Sequence, residues 1–377
     1  MNKPDQIITA GRKETAEQEK LYAASSWTLM RRKFFKHKLA LVGLTGLAVL
    51  YLVAAFAGFF SVWGTFQRSS DHVFAPPTRV RIFHDGRLVR PFVYGLVPGR
   101  DPETLRKLFE IDESQVYPIR LFVRGEEEYK LLGLFPARTR LFGVDEPGKL
   151  YLFGADHLGR DVYSRILTGA RVSLSVGLVG VALSFVIGAI LGGISGFFGG
   201  TVDLLIQRLI EFLQSLPQIP LWMALAAAVP PRFPPVRLYF LVTVILSIVS
   251  WTELARVVRS KIIQLREEDY VVAARIAAAN ERRIITRHLL PGFMSYLIVS
   301  LTLAVPSMIL GETALSFIGV GLKPPVVSWG VLLNQAQNFR TVALQPWLLI
   351  PGLFVVATVL LFNFMGDGLR DAADPYH

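Results

Sequence analysis

Val172–Phe198 reads VSLSVGLVGVALSFVIGAILGGISGFF, a run with no charged residue and with Gly or Ser recurring along it. A helix needs roughly 20 apolar residues to cross a hydrocarbon core of about 30 Å, and this run exceeds that length. The Gly199–Gly200 pair that follows reads as a tight turn. Beyond it the pattern repeats. Apolar stretches run from Asp203 to Val229 (containing Pro217 and Pro220), Val236 to Ala255, Gly292 to Gly319 and Pro346 to Met365, and one precedes it from Leu39 to Trp63. The expected fold is an all-α polytopic membrane protein with about six transmembrane helices.

Composition agrees. Of 377 residues 52% are hydrophobic and 18% charged, with mean hydropathy +0.44, whereas soluble proteins carry about 25% charged residues. The net charge of +11 gathers beside the apolar runs, which is a membrane-topology pattern rather than a nucleic-acid-binding face. The absence of cysteine excludes disulfides, thiolate metal sites and Cys nucleophiles. The run from Leu39 is too long for the apolar region of a cleavable signal and reads as a retained first helix.

Lys and Arg in short loops set orientation. One cluster, Arg31, Arg32, Lys33, Lys36 and Lys38, closes a polar segment 1–38. A second, including Arg256, Arg259, Lys261, Arg266, Arg275, Arg282, Arg283 and Arg287, fills the segment 256–291. With six spans both fall on one side, expected to be the cytoplasm together with both termini. Arg232 and Arg237 in the outer turn point the other way and are outnumbered. Residues 65–152 then form an extracytoplasmic insert between helices 1 and 2. It reads as β-rich: Val80–Val89 alternates around an Asp85–Gly86 hairpin turn, and Ile119–Arg124 and Tyr129–Phe135 flank a polar turn. Asp101–Pro102 can start a short helix.

Most isolated motifs have plain explanations. Gly143 to Lys149 has the spacing of a phosphate-binding loop, but Leu150 stands where Ser or Thr would hold Mg²⁺, and Asp145 and Glu146 would repel phosphate. Asp156, His157 and Asp161 lack a metal's outer partners and suit a structural turn, so no metal site and no catalytic residue is expected. Arg208 and Glu211, three apart, suit a local ion pair. Glu312 lies inside the fifth span; an ionisable group there is a pathway candidate, although a place near the outer end would let water reach it.

The segment Glu267–Pro291, EEDYVVAARIAAANERRIITRHLLP, reads as a helix with a small-residue face, Ala273, Ala274, Ala277 and Ala278. Asn280 can end that helix in the left-handed conformation, and a second helix, Arg282–Leu289, returns to the membrane. Physics alone leaves a docking surface and a solvated hairpin equally open. The segment resembles the EAA loop of bacterial ABC importer permeases, Glu-Ala-Ala-x3-Gly-x9-Ile-x-Leu-Pro. Ala273, Ala274, Leu290 and Pro291 match; Val272 stands in for Glu, Ala278 for Gly and His288 for Ile.

Phe153–Arg165 with Gly169–Leu174, Gly311–Gly319, Ser328–Gly330 and Asn363–Pro375 resemble the oligopeptide, dipeptide and nickel permeases, in particular the second, C-type subunit of the pair. The likeness covers about residues 28–63 and 153–375. The enlarged outer loop is similar to that of a subgroup of larger peptide permeases. The resemblance implies a transmembrane domain over 153–377 and a bacterial inner-membrane location. It also implies a non-catalytic permease subunit of a peptide importer, with no cofactor of its own. Its partners would be a second permease, two cytoplasmic ATPase subunits carrying ATP and Mg²⁺, and an external substrate-binding protein. Val272, Ala273, Ala274, Arg275, Ala277, Ala278, Asn280, Arg282, His288, Leu290 and Pro291 would form the ATPase-coupling surface. A receptor or scaffold with an outer ligand-binding domain is the rival reading, and it has no use for such a surface. A passive channel lacks a ring-forming polar repeat.

Overall fold

The computed structural model describes residues 26–84, 86–100, 102–103, 107–230 and 233–373. Five helical segments are long and apolar enough to span a bilayer: Lys38–Ala55, Val162–Phe198, Pro235–Leu265, Met294–Ile318 and Pro346–Ala373. In chain order the helices are α1 (Ser26–Lys36), α2 (Lys38–Ala55), α3 (Ala57–Phe60), α4 (Val162–Phe198), α5 (Gly200–Ser215), α6 (Gln218–Ala227), α7 (Pro235–Leu265), α8 (Asp269–Ile276), α9 (Glu281–Arg283), α10 (Met294–Ile318), α11 (Trp329–Asn334), α12 (Phe339–Leu344) and α13 (Ile350–Ala373). A π-helical turn, Ile284–Leu289, and a short helix, Leu290–Gly292, link α9 to α10.

The expected third span is not one helix. It divides into α5 and α6 because Pro217 cannot donate a backbone hydrogen bond and pushes the preceding residue out of the helical region. Leu216 is accordingly extended, with φ −88° and ψ 135°. The first span stops at Ala55, well before Trp63, and α3 follows as a single turn. Other helices outlast their apolar runs. α4 starts at Val162, N-capped by Asp161, and α7 continues through polar residues to Leu265, since a helix that satisfies its own backbone need not stop at the membrane surface.

The glycines of α4 explain the packing. A Cβ on Gly188, Gly192 or Gly196 would lie 2.9, 2.4 or 2.7 Å from the carbonyl oxygens of Trp251, Ala255 and Arg259. One side of α4 therefore lies directly on the backbone of α7, as small residues allow between membrane helices. At one end of this contact Arg259 grips Asp203 of α5 with two hydrogen bonds, 2.6 and 2.5 Å. α13 packs on α2 in a similar way, with Gly43 against the backbone at Leu361.

Between α3 and α4 lie β1 (Arg81–His84), β2 (Arg87–Arg100), β3 (Lys107–Pro118), β4 (Arg120–Leu131) and β5 (Phe135–Gly143). β1–β2–β3 form one antiparallel sheet and β4–β5 a second pair. Gly86, φ +75°, sits at the β1–β2 turn. The second turn is displaced from its expected place. The acidic run Glu126–Glu128 lies within β4 at an irregularity of register, and the chain reverses at Leu132–Leu134, with Leu132 and Gly133 at φ 52° and 76°. The strands attach to the bundle through a small core of Val62, Val93, Val144 and Leu150, closed by Trp63 Nε1 donating to the Leu150 carbonyl at 2.7 Å. Asp101 and residues 104–106 of the expected Asp101–Pro102 helix start lie outside the described residues.

Candidate functional site

Three places concentrate polar chemistry. The first is the segment after α7. α8 ends in a Schellman motif: the Ala279 N–H donates to Ala274 O at 3.0 Å and the Ala278 N–H to Arg275 O at 2.9 Å. The left-handed residue this motif requires is Ala278, φ +55°, and not Asn280 as the sequence reading expected. Asn280 is extended and opens α9, its side-chain oxygen accepting from the Arg283 N–H at 2.9 Å. The small-residue face is corrected too. Ala274 is half-buried with Val271 against Ile284, Leu289 and Leu297. The exposed face is Val272, Ala273, Ile276 and Ala277, and Ile276 is 82% accessible.

Ile276 was missed in the sequence. One signal was available: an isoleucine four positions after Val272 shares its side of a helix. Arg275 turns away, its guanidinium 5.4 Å from the ring centre of Phe197 at the end of α4. Arg282 and Pro291 are exposed and Leu290 half-buried; the side chain of His288 lies outside the described residues.

Ala278 carries the cost of a Cβ at positive φ, about 1–2 kcal/mol. Ala278→Gly is expected to stabilise this turn by about 1 kcal/mol, slowing local-opening hydrogen exchange of the α8–α9 amides about fivefold. Unchanged exchange would show that the turn is not strained.

Glu312 of α10 is fully buried. Its Oε1 accepts from Ser316 at 2.8 Å and Ser328 at 2.7 Å, and its Oε2 from Ser173 at 3.2 Å. It therefore joins α10, α4 and the start of α11, and water does not reach it.

A cavity of about 850 Å³ lies elsewhere, among the α5–α6 break, α7, α10 and the middle of α4. Leu213–Gln218, Val249–Val257 and Tyr296–Met308 supply most of its wall, and Glu312 is not part of it.

The third place is the approach to α4. Asp156 accepts from Arg160 Nε and Nη2 at 2.8 Å each and from Arg165 Nη1; its other oxygen accepts from the Leu158 and Arg160 N–H groups at 2.8 and 3.0 Å. Burial pushes this carboxyl up, but Arg165 and Arg160 outweigh it and hold it below the usual carboxylate range. His157 Nδ1 lies 3.1 Å from Gln335 Oε1. Asp161 caps α4, accepting from Ser164 N–H at 2.8 Å and Ser164 Oγ at 2.5 Å. The same hydroxyl accepts from the N–H groups of Val62 and Trp63 at 3.0 Å, tying the end of α3 to α4. Asp161 Oδ1 has no partner among the described residues.

Burial, only partly offset by Ser164 and Arg140, pushes Asp161 up to about 7. Its unfolded value is about 3.9, so between those limits the folded state holds more protons and this group's stabilisation declines as pH rises. It is full below about pH 4 and lost above about pH 7. Asp161→Asn keeps a good N-cap. It should flatten the pH 5–7 slope of the melting temperature and at pH 8 match wild type or gain about 1 kcal/mol. An unaltered slope would assign the pH dependence to other groups.

Arg208 and Glu211 form the expected exposed pair at 2.8 Å. Asp145 of the loop with phosphate-binding spacing pairs with Arg120 at 2.8 Å, and Lys149 lies 4.6 Å from the centre of the Trp63 ring.

Long apolar helices around a partly polar cavity, with an apolar helical face offered beyond the bundle, define the class: a multi-pass helical membrane protein. Residues 185–376 match the family described as binding-protein-dependent transport system inner membrane component, and residues 25–77 match the N-terminal transmembrane domain of oligopeptide transport permease C. The chain belongs to this family of inner-membrane transport permeases.

Among its relatives are the dipeptide transport system permease protein DppC of Bacillus subtilis (strain 168), 38% identical over 61% of this chain and 70% of that one, and the oligopeptide transport system permease protein OppC of the same organism, 36% identical over 63% and 76%. OppC of Haemophilus influenzae is 39% identical over 60% of this chain and 70% of its own length.

Proposed function

We propose that this chain is the C-type permease subunit of an ATP-driven peptide importer and forms half of its translocation pathway. Family membership and the peptide permeases among the relatives support the reading. The observation that carries the mechanism is the exposed face Val272–Ala273–Ile276–Ala277 at the end of a bundle that holds a half-open cavity. An ATPase subunit seated there would pull on α7 and α10, which carry much of the cavity wall. A second permease would complete the pathway, two ATPase subunits would supply ATP and Mg²⁺, and an external binding protein would deliver cargo.

α5 and α6 together act as one broken crossing. This gives six crossings, keeps both basic clusters in the cytoplasm with both termini, and leaves residues 65–152 outside. Cysteines introduced at Arg87 and Arg282 should label from opposite sides of intact cells; labelling of both from outside would reverse the topology. The function is tested by uptake into vesicles holding the full complex. ATP-dependent peptide accumulation that requires the binding protein is expected. Peptide binding without accumulation would favour the receptor reading instead.

A further inference from the structure

Two charged side chains stand in the wall of the cavity. Among the described residues, Glu253 and Arg256 are the charged groups in its wall. Both are exposed to it and neither forms an ion pair, with the other or with any described residue. They sit on α7 about 18 and 14 Å from its Leu265 end, where the apolar run of this helix gives way to the basic segment 256–291 and so at the inner end of the cavity.

We propose that Glu253 and Arg256 form a transit site for short peptides, Glu253 receiving the free amino terminus and Arg256 the carboxylate. The inference rests on the importer reading and adds the chemistry of the cargo contact. Geometry favours it. Residues three apart on a helix have Cβ atoms about 5–6 Å apart and project to one side. An extended dipeptide spans about 7 Å, so two long side chains can reach both of its ends at once.

The surroundings fit the peptide between those ends. Gln218, Ser300 and Ser307 offer amide and hydroxyl groups that bond a peptide backbone whatever its side chains, while Gln214 and Ser250, which donate to Thr252 Oγ1 at 3.1 Å and to the Leu246 carbonyl at 2.8 Å, keep their oxygens as acceptors. The volume, about 850 Å³, lies within the roughly 300–1,000 Å³ of ligand cavities. A carboxylate and a guanidinium side by side suit a zwitterion. A pair of bases would suit an anion and a pair of acids a cation.

The test uses the complete importer in vesicles with its own binding protein. A defined set of short peptides is supplied in free, N-acetylated and C-amidated forms, and uptake of each is read by mass spectrometry. The binding protein is the same throughout, so its own preference cancels when variant and wild-type permeases are compared. Glu253→Gln is expected to narrow the free-to-acetylated uptake ratio about tenfold, and Arg256→Gln the free-to-amidated ratio by a similar factor. Each variant should leave the other ratio unchanged.

Unchanged ratios in both variants would overturn the proposal. So would a uniform loss for all forms accompanied by loss of the second permease on purification, which would place these charges in the contact between the two permeases. Absence of uptake of every form by the wild-type complex would overturn the peptide reading itself, and this inference with it.

Discussion

Ile276→Asp should strip the ATPase subunits from the complex while leaving the two permeases together. Ile276 is 82% exposed in this chain and touches little of it, so the substitution should change the permease's own stability by no more than about 0.5 kcal/mol. On docking, the isoleucine would bury most of its side chain, which contributes about 1.5–3 kcal/mol. An aspartate in the same place loses that contribution and adds the cost of an unpaired carboxylate in a dry contact. Together these exceed about 2.7 kcal/mol, or a hundredfold in affinity.

Co-purification and substrate-stimulated ATP hydrolysis measure the result. Wild-type values in both would remove this segment as the dock. Ala274→Arg makes a poorer probe. Ala274 packs inward with Val271 and Leu289, so an arginine there would disturb the segment's own fold and weaken docking for either reason.

The difference between these two residues shows what the sequence could and could not reveal. Alanine content pointed to a close-packing helix, and a helix is there. Which alanines face inward depends on where the helix ends and how the chain re-enters the bundle. That turns on a single residue, Ala278, taking a conformation that an L-residue usually avoids. Propensity favoured Asn280 for that role, and the capping bond of α9 claimed Asn280 instead.

The membrane helices were legible because their apolar runs are long, and their interruptions only where the chemistry is local. Pro217 was visible in the chain, but its power to divide a span became clear only with an extended Leu216. In the outer strands the first turn falls where it is expected, with Gly86 supplying the positive φ that a two-residue hairpin needs; Asp85 lies outside the described residues. The second turn was misread because three glutamates look more like a turn than the apolar Leu131–Leu134 stretch does. Least legible were the long-range polar contacts. Asp203 and Arg259 are 56 residues apart and Ser173 and Glu312 are 139 apart, and no spacing rule links such positions.

Glu312 is the clearest case, and its substitution should have the largest effect on stability. The sequence marked it as a pathway candidate because a carboxylate at that depth is costly. The structure offers another reason for its presence. Ser328 donates to Glu312 and accepts from the Val331 N–H at 3.2 Å, capping α11. Ser173 donates to Glu312 and accepts from the Trp329 N–H at 3.0 Å. Trp329, fully buried, donates its ring N–H to the Ile166 carbonyl at 3.1 Å. One carboxylate thus orients two serines, and through them the start of α11 against α4.

Glu312→Ala leaves three hydroxyls without their acceptor and a void beside them. Leaving buried hydroxyl donors unsatisfied beside a void typically costs about 3–5 kcal/mol, and the purified complex should melt on the order of 10 °C lower. Glu312→Gln keeps one acceptor oxygen and should cost about 1–2 kcal/mol. A cargo contact predicts a different pattern: both variants would melt like wild type and differ only in uptake. A melting loss graded Ala over Gln, with uptake per folded complex preserved in Gln, assigns Glu312 to holding α4, α10 and α11 together; unchanged melting with lost uptake would return it to the pathway.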